Sequence, residues 1–67
     1  MHGKVIFFSD RKGWGFIRGN DGLTYFAHVS CIKDEAPTLT KGEAVEFDEK
    51  VVEGKSPKAV EIQRVGK

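Results

Sequence analysis

At 67 residues with a lone cysteine, Cys31, the chain has room for one small domain spanning 1–67, which no internal disulfide can brace and which packing alone must hold together. A formal net charge of +1 conceals an uneven distribution, with five basic against two acidic side chains in residues 1–33 and six against eight in the remainder. The opening MHGKVIFFSD lacks the apolar run of a signal peptide, and no stretch approaches the roughly 18 apolar residues of a membrane span, so a cytoplasmic protein without a membrane partner is expected.

Lys4–Ser9 (KVIFFS), β-branched and aromatic, reads as a first strand running into the polar loop SDRKG. Gly13–Arg18 reads as a second, closed by Asn20-Asp21-Gly22, a sequence suited to a tight hairpin turn. Leu23–Val29 follows as a third. The segment SCIKDEAPTLTKG, with Pro37 and small polar residues, reads as loop with one short helical turn near Ser30–Lys33. Ala44–Val52 and Lys58–Val65, separated by EGKSP, alternate apolar and polar residues as fourth and fifth strands. Glu49 falls on the parity of Val45 and Phe47, which implies a bulge or strand end near Asp48–Lys50. Five short strands without a convincing helix predict an all-β fold, a small five-stranded antiparallel barrel, since closure removes exposed edges.

The stretch KGWGFIRG, Lys12 to Gly19, poses the functional question. In a strand, Trp14 and Phe16 share one face and Gly13, Gly15 and Ile17 the other. Val5, Ile17, Ala27, Ile32, Val45, Phe47, Val60 and Ile62 suffice to fill so small a barrel, so placing Ile17 inside sends both rings outward. The same parity puts Phe26 and His28 outward on the third strand, the antiparallel neighbour of the second. Trp14, Phe16, Phe26 and His28 then share one surface, and Phe7 is a candidate to join it, although the adjacent Phe7-Phe8 pair leaves open which of the two faces out. Tyr25 is expected at the barrel edge with its hydroxyl toward solvent or a backbone group.

Six of the seven aromatics precede residue 27, in the basic part of the chain. An exposed cluster of rings beside positive charge fits nucleobases, which stack on the rings while Lys and Arg attract the phosphates. Lys4, Lys12 and Arg18 are the expected phosphate contacts, with Arg11 and Lys55 as further loop candidates. Gly13 and Gly15 leave room for a backbone or a ligand between the rings. Asp21 reads as a turn residue, with hydrogen bonding to a base as the alternative. The acidic series Glu43, Glu46, Asp48, Glu49 and Glu53 reads as the solvated side away from a polyanion.

Lys12-Gly13-Trp14-Gly15-Phe16-Ile17 resembles the first ribonucleoprotein motif of the bacterial cold-shock protein family, and Tyr25-Phe26-Ala27-His28-Val29-Ser30 resembles the second. Gly3-Lys4-Val5 and Lys41-Gly42-Glu43-Ala44-Val45-Glu46-Phe47 extend the similarity over nearly the whole chain. The resemblance implies an OB-type barrel that binds single-stranded RNA and DNA with modest sequence preference and acts as an RNA chaperone. Phe7 stands where the family usually has Trp, Ile6 where it has Lys and Val29 where it has a second Phe, and the loop from Lys33 to Lys41 lacks an aromatic often found there. Fewer rings and one charge fewer imply weaker binding or a shorter footprint than is typical of the family.

Two other function classes compete with nucleic-acid binding. A protein-interaction module would dock an apolar partner on Phe7, Trp14, Phe16 and Phe26, and its binding would be nearly indifferent to salt. An enzyme finds no support, since no nucleophile-base pair, paired carboxylates or metal cluster stands at plausible positions; no catalytic residue, metal or cofactor is expected. A monomer is expected, with a homodimer that hides the rings as the alternative.

Overall fold

Five strands and one 3₁₀ turn form in chain order: β1 (His2–Ser9), β2 (Trp14–Gly19), β3 (Thr24–His28), the turn Val29–Cys31, β4 (Ala44–Lys50) and β5 (Lys58–Arg64). They belong to a computed structural model that describes residues 1–33, 38–51, 53–54 and 57–65. The expected end of the fourth strand at Val52 and the candidate contact Lys55 lie outside the described residues.

The strands close into a barrel in the order β1-β2-β3-β5-β4. Four of the neighbouring pairs are antiparallel and one, β3 with β5, is parallel. The purely antiparallel barrel expected from sequence is therefore corrected to a mixed one, still consistent with an OB-type barrel. Strand directions cannot alternate all the way around a closed ring with an odd number of members, so one pair has to run parallel. That pair is short: Phe26 lies opposite Lys58 and Ala27 opposite Ala59, and an isolated bridge joins Ile32 to Ile62 beyond the 3₁₀ turn. The Phe26 N–H donates to the Pro57 carbonyl at 3.1 Å and the Lys33 N–H to the Ile62 carbonyl at 2.7 Å.

The β2–β3 hairpin closes through residues 20–22, where the Gly22 N–H donates to the Gly19 carbonyl at 3.0 Å and Gly22 adopts a φ of 87°. The Asp21 carboxylate accepts from the Leu23 N–H at 3.0 Å, a local bond that favours the turn.

The core holds Val5, Ile17, Tyr25, Ala27, Ile32, Leu39, Val45, Phe47, Ala59 and Ile62. Each fully buried aliphatic or Phe side chain contributes roughly 1.5–3 kcal/mol relative to exposure. Leu39 joins the core from the segment read as loop, and two further placements correct the expected core. Tyr25 is fully buried, its ring 5.0 Å from that of Phe47, while its hydroxyl donates to Asp21 Oδ2 at 2.5 Å and to Glu49 Oε1 at 3.3 Å. On β5, Ala59 points inward and Val60 is only half-buried.

Register explains the second correction. Glu46 pairs with Gln63 but Asp48 with Val60, so two steps on β4 span three on β5. The extra residue is Glu61, with a φ of 55°, and it reverses the alternation between Ala59 and Ile62. Of the two alternatives expected near Asp48–Lys50, the strand end is found, at Lys50, and the bulge lies on β5 instead. Glu49 keeps the inward parity opposite Ala59 because it sits at the end of the barrel, where its carboxylate meets the Tyr25 hydroxyl.

Candidate nucleic-acid interface

A bulge in β1 resolves the ambiguity between Phe7 and Phe8. Val5 pairs with Ile17 and Phe7 with Phe16, so β1 takes two steps where β2 takes one, with Ile6 as the extra residue. Val5 faces the core before the bulge. Strict alternation would have turned Phe7 inward as well; after the slip Phe7 stands outside beside Phe16, and Phe8 packs against the core.

The outer face of β1, β2 and β3 then presents three cross-strand rows. Ser9, Trp14 and His28 form one, and Phe7, Phe16 and Phe26 the next. Lys4, Arg18 and Thr24 form the third. Trp14 lies at the centre of the rings, 6.1 Å from Phe7, 5.7 Å from Phe16 and 6.0 Å from Phe26 between centroids. Phe16 and Phe26 are 6.0 Å apart, and His28 extends the cluster at 6.3 Å from Phe26. Trp14 meets Phe7 and Phe16 edge to face and stacks on Phe26 at an interplanar angle of 29°, while Phe7 and Phe16 stay 45% and 36% exposed.

Local structure sets this arrangement. The loop before β2 is drawn tight by the Gly13 N–H, which donates to the Ser9 carbonyl at 2.7 Å, and Gly13 takes a φ of 79° that a side chain would strain. Lys12 leaves this loop with its Nζ 5.8 Å from the centre of the Trp14 ring, a cation over an aromatic face. At Gly15 a Cβ would meet the Phe7 carbonyl oxygen at 2.1 Å and the Phe8 Cα at 2.5 Å. The room left by Gly15 is therefore filled by the backbone of β1.

His28 caps the 3₁₀ turn, its Nδ1 accepting from the Ser30 N–H at 3.1 Å. The hydrogen-bond pattern thereby assigns the proton to Nε2, as a donor at the end of the ring cluster. Asp21 is occupied within the fold: Tyr25 and the Leu23 N–H, in that order of effect, hold its carboxyl below the ordinary value, and the same bond to Asp21 pushes the Tyr25 hydroxyl above its own range. Arg11 is exposed on the loop.

One cation escaped the reading of the sequence. Lys58 lies opposite Phe26 in the parallel β3–β5 pair, on the same outer face, so the ring row continues into a positive charge. No local signal marks it, because β3 and β5 become neighbours only when the ring closes. Glu46, Asp48 and Glu49 are exposed on β4, across the barrel from β2.

The family model for the "Cold-shock" DNA-binding domain matches residues 1–65. The chain belongs to the cold-shock domain family. Its relatives include a cold shock-like protein of Thermotoga maritima, 42% identical over 97% of this chain and 98% of the relative. Cold shock protein 2 of Lactiplantibacillus plantarum is 40% identical over 92% and 94%, respectively. Cold shock domain-containing protein 4 of Arabidopsis thaliana is 42% identical over 90% of this chain but only 31% of its own length. Cold-shock domains are nucleic-acid-binding domains without catalytic activity. In this cold-shock domain the departure at Val29 has a structural counterpart: its side chain is half-buried and packed against the core, adding no ring to the platform. Among the described residues no helix is long and apolar enough to cross a membrane.

Proposed function

We propose that this cold-shock domain binds single-stranded RNA and DNA with low sequence specificity, stacking bases on Phe7, Trp14, Phe16 and Phe26 while Lys4, Lys12, Arg18 and Lys58 attract phosphates. The observation that carries this reading is the contiguous outward cluster of four rings, Trp14 within 6.1 Å of each of the others, with Lys12 placed over it. Rings accept every base, which favours affinity over sequence discrimination. His28 offers its Nε2–H as a hydrogen-bond donor to a base or phosphate.

Such a protein acts as an RNA chaperone by mass action. It binds the open strand and not the hairpin, and so shifts the population toward the open form without ATP. We place it in the cytoplasm as a monomer, in cold response and in the regulation of transcription or translation. With Val29 in place of a ring and Ile6 in place of a charge, its footprint is shorter or its affinity lower than that of relatives with the full set.

Trp14 is the only tryptophan and reports on the platform directly. Single-stranded oligopyrimidines should quench its fluorescence and the matching duplex should not. The logarithm of the binding constant should fall with log salt at a slope of about −0.7 per neutralised phosphate. Fluorescence that stays flat with every nucleic acid, in a folded monomer, overturns the reading and leaves the rings to a protein partner.

A further inference from the structure

Beyond the last ring row the outer face changes chemistry. Arg18 follows Phe16 by two residues on β2, about 7 Å along the strand, and lies directly opposite Lys4 on β1. Lys4 is in turn opposite Ala44 on β4. Lys4 and Arg18, with His2, Asn20 and Ala44, line an open groove of about 380 Å³ that continues from the platform. No Phe, Tyr or Trp side chain lines it, so the row of large rings stops at Phe7 and Phe16.

The two cations are available to a ligand. The described ion pairs join Lys33 to Glu61 and Arg64 to Glu43, and neither involves Lys4 or Arg18. The nearest carboxylate in the turn, Asp21, is engaged by the Leu23 N–H and the Tyr25 hydroxyl. Glu46 stands opposite His2, which puts negative charge on the β4 side of the groove and confines the positive charge to the side facing the rings.

We propose that this groove is a backbone subsite: Lys4 and Arg18 hold the phosphodiester of the nucleotide flanking the stacked ones, and the base of that nucleotide is not read. The proposal rests on the platform reading and adds a length dependence to it. A strand that only covers the rings does not engage the groove, whereas one that runs past Phe16 gains two charge-assisted contacts.

The test compares the protein with its Lys4→Gln, Arg18→Gln double variant, using oligothymidylates of about four and about eight nucleotides and the short strand lengthened by abasic sugar-phosphate units at either end. Trp14 quenching and the salt slope are read for each. In the unsubstituted protein the abasic extension at one end should raise affinity and steepen the salt slope. In the variant that gain should vanish, and the long-strand slope should shrink by about 1.4, or about 0.7 per cation, while the short strand loses less affinity than the long one. A Lys4→Arg, Arg18→Lys swap should retain the gain and shows that charge, not folding, is at issue. Equal losses for short and long strands, no loss at all, or no gain from an abasic extension at either end would each overturn the subsite while leaving the platform in place. Failure of the short strand to quench Trp14 in the unsubstituted protein overturns the platform and the subsite together.

Discussion

Phe7 and Phe8 are adjacent and chemically identical, yet the fold gives them opposite duties. Phe7 stands outside at 45% exposure with its ring 6.1 Å from Trp14, while Phe8 packs on the core. Alanine at Phe7, Trp14, Phe16 or Phe26 is expected to weaken single-strand binding by about 1–3 kcal/mol each with little change in the urea midpoint, as read by anisotropy of a labelled strand. Phe8→Ala should invert the pattern, lowering the midpoint and sparing affinity. Gly15 shows how tightly the platform is supported from beneath. Because its Cβ would overlap the β1 backbone, Gly15→Ala should cost about 1–3 kcal/mol of stability, measured by denaturant unfolding.

At the scale of the element, each of two strands carries one extra residue, with a different consequence. Ile6 in β1 turns Phe7 out to the platform, and Glu61 in β5 exchanges Val60 for Ala59 in the core. Glu61 holds a φ of 55°, a region costly for any residue with a Cβ and most costly for a β-branched one. Glycine at position 61 should therefore be tolerated, the relief of strain offsetting both the added chain entropy and the loss of the exposed pair with Lys33. Valine there should destabilise the fold by about 1–3 kcal/mol relative to glycine, compared by thermal or urea unfolding. Equal stability of the two variants would show that β5 can shed its bulge.

At the scale of the molecule, the buried Tyr25 ties the β2–β3 turn to the end of β4 through hydrogen bonds to Asp21 and Glu49. This link makes stability depend on pH in a definite direction. The Asp21 carboxyl is held below its ordinary value of 3.8, first by the Tyr25 hydroxyl and then by the Leu23 N–H. Its contribution is complete above that value and is lost as pH falls through the lowered folded one. The Tyr25 hydroxyl is raised above its ordinary value of 10.0, first by Asp21, so its contribution is complete below pH 10.0 and is lost as pH rises further. Tyr25→Phe should lower stability near neutrality and flatten the acid limb of a series of urea midpoints, with Trp14 quenching by single strands retained. An unchanged acid limb would place the acid sensitivity elsewhere.

Alternation of apolar and polar residues is a property of the chain itself, and it was enough to predict five strands, most of the core and the outward direction of Trp14, Phe16, Phe26 and His28. The tight turn at Asn20–Gly22 and the concentration of rings with positive charge before residue 27 were equally legible, because both rest on local chemistry. Where a strand slips against its partner was not. A bulge is stabilised by the neighbouring strand, so the fate of Phe7 and Phe8, the swap of Ala59 for Val60 and the position of the irregularity seen at Glu49 depended on pairing across the barrel. The burial of Tyr25 required Asp21 and Glu49 to meet at one end of the closed barrel, 4 and 24 residues from it in sequence. Lys58 reached the platform only because a ring of five strands must contain one parallel pair, and the topology placed that pair between β3 and β5.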